Sequence, residues 1–554
     1  MTPDTRIPVL IAGGGPVGLT LALELGWRGV RCMLVEPNEH FSGNPKAKTV
    51  HQRTLELFRR WDRGVPDKLR AAAPLGADFP STILYVTRLT GELITALHNA
   101  TPADTGNRFS PERTLRIPQS FLEPVLRAEV RHTPAVDLRL GWKLERFEQS
   151  PGEVRAEIVH VDSGERQEVT AQYLAGCDGG RSTVRKQLDI RMHRSSDVKH
   201  ALGGVFRAPM LWPTLAFEKA FHYNVLNDHL PHLAVVGPLQ PPDVWFFDLM
   251  GVDPNALDPG EVIRNVVGQP IPFELQHVAP WTVHNALAER YREARVFLLG
   301  DAAHLQSPTG GYGMNGGVGD AVNFGWKLAA VLQGWGGDHL LDSYEIERRQ
   351  FHARALAESI QNSEDNDLVT PGLEDPLRGA TLRAALGEKI QRTKPRNFQS
   401  LGVSLGYRYE TSPVIVPDGT PPTPYETSRY IPTAHPGHRA PHAWLPDGTA
   451  LFDHFGQGFT LLVLGPREVD CSKLELAAGA RGVPLTVLRR SESELRELYQ
   501  ASLVLIRPDQ HVGCRSDAEP EEPSAVMDVL RGAIPQAERL ASAERDPASR
   551  SVSR

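Results

Sequence analysis

The sequence predicts a mixed fold, α/β at its two ends and α+β between, and three observations predict it. At the start, the apolar run 8–12 leads into Gly13-x-Gly15-x-x-Gly18, an amphipathic segment follows over 19–27, and a second apolar run, 32–35, ends on Glu36. In the middle, from about 195 to 285, short runs such as 201–206, 233–236 and 244–250 are broken by Pro-rich turns, as in a separate antiparallel sheet. Near the end, apolar runs at 459–464, 485–488 and 503–506 form a small α/β segment.

The first element has the strand–glycine turn–helix–strand–acid order of a dinucleotide site. Gly13 permits the tight turn, Gly15 lets the backbone approach a pyrophosphate, and Gly18 lets the helix pack on the strand. The helix N-terminus offers backbone N–H groups and partial positive charge to phosphates. Glu36, 18 residues beyond Gly18, can accept hydrogen bonds from a ribose diol. A helix is expected to start near Thr49, and 102–116 reads as irregular and polar. The stretch 117–127 reads as a helix with an early Pro, and 136–175 alternates like a β-meander with turns at Pro151-Gly152 and Ser163-Gly164. A buried strand is expected at 295–300, helices at 316–336 and 339–362, and a Pro-, Tyr- and His-rich crossing at about 407–445.

A chain of 554 residues allows two to four domains. A formal net charge of -7 argues against a general binder of nucleic acid or anionic membrane, which would need a basic face. Cys32, Cys177, Cys471 and Cys514 are far apart and form no CxxC, so no zinc or dithiol motif is read and no metal is expected. Cys32 and Cys177 lie in strand-like runs, where a buried free thiol is expected. No apolar run approaches the ~20 residues that span a bilayer, and no basic region precedes the first apolar run. A cytoplasmic protein is expected.

A second motif narrows the ligand: Gly300-Asp-Ala-Ala-His-Leu-Gln-Ser-Pro-Thr-Gly-Gly-Tyr-Gly-Met-Asn-Gly316. It starts where a strand ends, at the edge where α/β sheets bind ligands. Asp301 is placed to hydrogen-bond a chain of sugar-like hydroxyls. Gly310, Gly311 and Gly313 permit a backbone that presses on a flat ring. The dipole of a helix beginning near 315–317 would favour negative charge on that ring.

Gly13-x-Gly15-x-x-Gly18, Asp178-Gly179-x-x-Ser182-x-Val184-Arg185 and Gly300-Asp301-Ala-Ala-His304-x-x-x-Pro308-x-Gly310 occur in this order. Together they resemble the three fingerprints of the single-component FAD-dependent aromatic hydroxylases, the p-hydroxybenzoate and phenol hydroxylase group, over roughly 1–360. Residues 320–328 and 341–348 resemble the family's following helices. Residues 437–442 and 505–509 resemble the thioredoxin-like C-terminal domain of its phenol and polyketide hydroxylase branches, a structural or dimer-contacting unit here without CxxC.

The resemblance implies a Rossmann-like FAD-binding domain (1–75, 105–190 and 286–400) and an interleaved antiparallel-sheet substrate domain (76–104 and 191–285). A linker (401–435), a thioredoxin-like domain (436–540) and a disordered tail (541–554) complete it. It places Gly13, Gly15, Pro16, Val17 and Gly18 at the FAD pyrophosphate and Glu36 at the adenosine ribose. Gln119 and Arg127 would contact the ribityl and pyrophosphate region, and Asp178 belongs to a motif serving both FAD and NAD(P)H. Asp301 would contact the ribityl chain, and Pro308, Gly313, Met314 and Asn315 would line the pyrimidine side of the flavin. Lys46 stands where relatives often carry Arg, keeping the charge without the planar fork.

The reaction implied uses NAD(P)H as co-substrate and O2. Reduced flavin forms a C4a-hydroperoxide that hydroxylates a phenolic ring on a small aromatic or polyketide substrate. His51, His222 and Tyr223 are candidates for activating the phenol, against the reading that they are ordinary structural residues; His304 and Arg185 read as braces of their loops. A homodimer is a family-level expectation. Three other readings stay open: a Baeyer–Villiger or epoxidising enzyme acting on a polyketide, a flavin dehydrogenase or oxidase, and a flavin-binding protein without catalysis.

Overall fold

The computed structural model describes residues 5–40, 46–76, 78–100, 108–364, 368–465 and 469–534. Pro45, residues 102–107 and the tail expected over 541–554 lie outside the described residues.

The first sheet runs Arg292–Glu293, Val296–Leu298, Arg166–Gly176, Thr5–Ala12, Cys32–Glu36 and Val136–Leu140. Its central strands are parallel. Parallel strands are covered on both faces, which is why 9–11 is apolar at every position and fully buried. The helix Pro16–Trp27 begins with Pro, whose missing N–H costs nothing there. It packs against the long helix Tyr312–Leu332. Close approach is paid in side chains: a Cβ on Gly317 or on Gly300 would press on Val17.

The expected meander needs correction. Val136–Leu140 is a parallel edge strand beside Cys32–Glu36. Only Trp142–Gln149, Val154–His160 and Arg166–Gly176 form antiparallel hairpins, and the last continues into the parallel sheet. Sequence alternation marks a half-buried strand but not its partner. Near Thr49 the chain is first a strand, Thr49–Val50 against Leu115–Arg116, and only then the helix Gln52–Arg59.

The second sheet has seven strands, ordered Glu274–Val283, Lys199–Arg207, Val244–Met250, Ala234–Gln240, His222–Val225, Ile83–Val86 and Leu93–Leu97. One face is dry: Leu202, Phe206, Tyr223, Val236, Trp245, Phe247 and Leu249 pack with the helix Pro259–Val267. Register puts Gly203, Val205, Phe246, Asp248 and Gly237 on the other face. The helix Gly379–Thr393, expected with the nucleotide-binding unit, packs instead on this second sheet through Leu386 and Ile390. Two cation–ring contacts and one ion pair join the inner face to the segment 46–51 and to Arg116.

The third sheet, Leu485–Arg490, Phe459–Leu464, Leu503–Ile506 and Val512–Ser516, has one parallel and two antiparallel pairs. The stretch read as a linker is packed: Tyr407 and Tyr409 are buried against Tyr312 and Phe351. No disulfide is formed; Cys32, Cys471 and Cys514 are buried thiols and Cys177 is half-buried. Among the described residues no helix is long and apolar enough to cross a membrane.

Candidate functional site

The first turn is shaped by what its glycines lack. Gly13 has φ +106°, and a Cβ there would collide with the Cys177 carbonyl. A Cβ on Gly18 would overlap the Gly13 carbonyl oxygen. Gly15 differs: a Cβ there would meet nothing within 4 Å. Its openness is therefore not a packing requirement, and it suits a ligand that must reach the backbone at the N-terminus of Pro16–Trp27. Glu36 accepts from the Gly14 N–H at 2.7 Å through Oε2, and from the Asn38 N–H and Nδ2 at 2.9 and 2.7 Å through Oε1. Oε1 is thereby used twice, and Oε2 keeps a second lone pair for a ribose hydroxyl.

Arg127 donates to the Glu39 carbonyl at 2.7 Å, and Glu36 and Glu123 raise a pKa that burial lowers. Gln119 is tied at both ends: its N–H donates to the Ala47 carbonyl at 2.8 Å and Nε2 to Glu123 at 2.7 Å. That bond holds the segment carrying Lys46. Asp178 caps the short helix Thr183–Gln187, Oδ2 accepting from the N–H groups of Thr183 at 2.7 Å and Val184 at 3.0 Å. Its Oδ1 is buried and makes no hydrogen bond among the described residues, so an acceptor remains for a ligand. Arg185 donates to the Gly180 and Ala302 carbonyls, joining this turn to the third motif.

Gly310 and Gly311 have φ of +94° and +69°, the Gly311 N–H donates to the Pro308 carbonyl, and the helix starts at Tyr312, three residues earlier than expected. A Cβ on Gly313 would meet nothing within 4 Å, a second open place at a helix N-terminus. Asp301 lies exposed at the start of this loop; desolvation raises its pKa, while the charges of His304 and Lys46 lower it. Met314 is half-buried and packs at the edge of the core. Asn315 is committed by its side chain: Oδ1 accepts from the His51 N–H and the Thr54 hydroxyl, and Nδ2 donates to the Thr49 and Gly311 carbonyls. Only its backbone can serve a ligand.

Beneath the loop lies a network the sequence did not single out. Asp320 is fully buried, accepts from the Gly300 N–H at 3.1 Å and pairs with Arg348 at 2.7 Å. His304 and His352 stack with centroids 3.4 Å apart, and each points Nε2 at Asp320, at 2.9 and 2.8 Å. Burial alone would raise the Asp320 carboxyl, but Arg348 and the two rings hold it well below the usual carboxylate range. Burial pushes His352 down to about 3, so its ring is neutral and donates. The three groups are spaced for a cation, but Arg348 already supplies the positive charge. Arg348 and His352 are one helical turn apart, a spacing visible in sequence only once the partner Asp320 is known.

Of the residues considered for phenol activation, Tyr223 is a correction. It is buried on the dry face, donates to the Glu218 carbonyl and accepts from the Ala220 N–H. Strand alternation turns it away from its neighbour His222. His222 lies on the inner face, stacked on Phe221 at 4.1 Å, its Nε2 buried with no partner among the described residues. Burial, then Lys48 and Arg116, hold it well below the usual histidine value. His51 faces Gly311, and burial pushes it down to about 4.

Residues 6–359 match the family model described as "FAD binding domain", and 433–535 match "Aromatic-ring hydroxylase, C-terminal". The chain is 34% identical to the FAD-dependent monooxygenase apdD of Emericella nidulans, over 92% of this chain and 87% of that protein. It is 32% identical to tetracenomycin B2 monooxygenase-dioxygenase of Streptomyces olivaceus, over 94% and 97%. A solved structure of RebC soaked with chromopyrrolic acid, with 7-carboxy-K252c bound, superposes with a TM-score of 0.88 at 35% identity, covering 96% of this chain and all of that one.

Proposed function

The chain belongs to the FAD-binding family, carries an aromatic-ring hydroxylase C-terminal domain as well, and is a flavoprotein monooxygenase; from that premise we propose that it uses NAD(P)H and O2 to hydroxylate a phenolic ring of a polyketide or other aromatic substrate. The observation that carries this reading is the pair of open glycine positions, Gly15 and Gly313, at two helix N-termini, with Asp301 between them in the chain.

In this reading Gly13, Gly15, Pro16, Val17 and Gly18 receive the FAD pyrophosphate, Glu36 the adenosine ribose, and Asp301 the ribityl chain. Arg127 and Gln119 hold the flanking segments, and Lys46 brings positive charge beside Asp301. Pro308, Gly313, Met314 and Asn315 present backbone to the flavin ring, and Asp178 offers its remaining oxygen. FAD held by these residues would supply the redox chemistry, hydride acceptance from NAD(P)H and activation of O2. The protein's own tasks are to hold the substrate ring against the inner sheet face, to exclude water, and to favour negative charge with the helix dipole and Lys46. His222, neutral and on that face, is an acceptor for a phenolic O–H. Similarity to a tetracenomycin B2 monooxygenase-dioxygenase and to RebC with bound 7-carboxy-K252c supports an extended aromatic substrate.

The test is a visible spectrum of the purified protein, followed by NADH and NADPH oxidation with simple and polycyclic phenols under 18O2. Flavin absorbance, substrate-stimulated oxidation and one labelled oxygen in a hydroxylated product are expected. H2O2 without labelled product would overturn the reading.

A further inference from the structure

The inner face of the second sheet carries an ion pair made with the segment that also touches the glycine loop. Lys48 Nζ pairs with Asp248 Oδ2 at 2.9 Å, with side-chain exposures of 19% and 24%. Two residues earlier Lys46 influences Asp301, and three residues later His51 abuts Gly311. The pair therefore stands where the cofactor loop meets the sheet. Among the described residues, two of the three Lys48 N–H groups and Asp248 Oδ1 have no partner.

Glycine at the floor of the pair lets two polar side chains come close. Gly203 lies opposite Asp248 in the ladder. A Cβ there would fall 2.5 Å from Asp248 Oδ1 and 2.9 Å from Trp281 Nε1, so only glycine leaves both polar atoms in place. Phe246 forms the apolar wall, with Lys48 Nζ 4.2 Å from its ring centroid. An ammonium, a carboxylate oxygen and an indole N–H thus converge over a flat backbone beside an aromatic wall. This is a donor and an acceptor side by side at the aromatic wall.

We propose that Lys48 and Asp248 are the specificity-determining pair of the substrate site, selecting an aromatic ring with two neighbouring oxygens, at least one of them a hydroxyl. Asp248 accepts from the hydroxyl, and Lys48 donates to the adjacent oxygen. A ring with a single oxygen, or with its hydroxyl methylated, leaves Asp248 Oδ1 or a Lys48 N–H without a ligand partner, and such a site disfavours it. The inference rests on the oxygenase reading above and names the substrate class for it.

The test uses the FAD-loaded full chain titrated with 2,3-dihydroxynaphthalene, with its monomethyl ether and with 2-naphthol, read by perturbation of the flavin spectrum. The wild type is expected to bind the diol at least about tenfold more tightly than the other two. Lys48→Met and Asp248→Asn should each erase that preference while keeping FAD, and Lys48→Arg should retain it. A wild type that shows no preference or responds to no probe overturns the proposal, as does a preference that survives in both Lys48→Met and Asp248→Asn. Loss of FAD or of folding in both variants also overturns it, in favour of a structural tie. The oxygenase reading fails separately, on absence of flavin or of 18O incorporation; labelled product formed by Lys48→Met with undiminished preference for the diol defeats only the pair.

Discussion

Gly15 and Gly18 are three residues apart in one motif and do different work. Gly18 is needed by the fold, since any side chain would strike the Gly13 carbonyl, whereas the space beside Gly15 is open. Gly15→Val should therefore abolish FAD absorbance while leaving the thermal midpoint within about two degrees of that of the wild type stripped of FAD, since loss of the ligand itself lowers the midpoint of the loaded protein. A variant loaded with FAD like the wild type would mean that the motif is only a turn. Asp301→Ala should likewise purify with FAD depleted at least about tenfold, since the ribityl hydroxyls would lose the carboxylate that the proposed function assigns to them; stoichiometric yellow cofactor would contradict the ribityl assignment. Both positions were legible in sequence because a glycine fingerprint describes backbone geometry directly. Tyr223 was misread because adjacent strand residues face opposite ways, and the chain alone does not say which face is dry.

At the scale of elements, the helices Tyr312–Leu332 and Asp342–Glu364 are joined by the buried Asp320–Arg348 pair, on which His304 and His352 converge. Removing one member of a buried pair strands the other charge, at a cost of about 3–5 kcal/mol. Arg348→Met should destabilise the protein by that amount in urea unfolding and loosen the loop that begins at Gly300, whose N–H the same carboxylate holds. A loss below about 1 kcal/mol would show that the pair is not coupled to the fold. Sequence periodicity located both helices to within a few residues. It could not locate Asp320 as a hub, because its partners come from a loop 16 residues before it and a helix 28 residues after it.

Across the whole molecule, the C-terminal unit is docked through charges that see no water. Arg507 pairs with Glu347 at 2.5 Å and with Asp509 at 2.7 Å, Lys327 with Glu347 at 2.6 Å, and Arg439 with Glu56. Arg507→Met should leave Glu347 and Asp509 under-compensated, lower the unfolding midpoint, and expose the C-terminal unit to limited proteolysis first; unchanged proteolysis would refute the docking role. Acid should act on the molecule as a whole. His51, His352 and His511 are pushed down to about 4, 3 and 4 by burial. Their folded values lie below the unfolded value of about 6.5, so the unfolded chain binds more protons between about pH 6.5 and 4. Their stabilising contribution is complete above pH 6.5 and is lost as pH falls, by about 1.4 kcal/mol per pH unit for each ring. The urea midpoint should be lower at pH 5 than at pH 7.5; an equal or higher value would show that these rings are not neutral in the fold.

The sequence by itself determined the first glycine turn, the second glycine loop, the mixed α/β and α+β fold class and the family, because each is written in local backbone requirements or short-range periodicity. Tertiary structure alone decided the edge position of Val136–Leu140, the packing of Gly379–Thr393 on the second sheet and the hub at Asp320. It also decided the meeting of Lys48 with Asp248, 200 residues apart in the chain. The physical reason is the same in each case: strand partners, burial and ion pairing depend on which distant segments the fold brings together, and no local pattern encodes that.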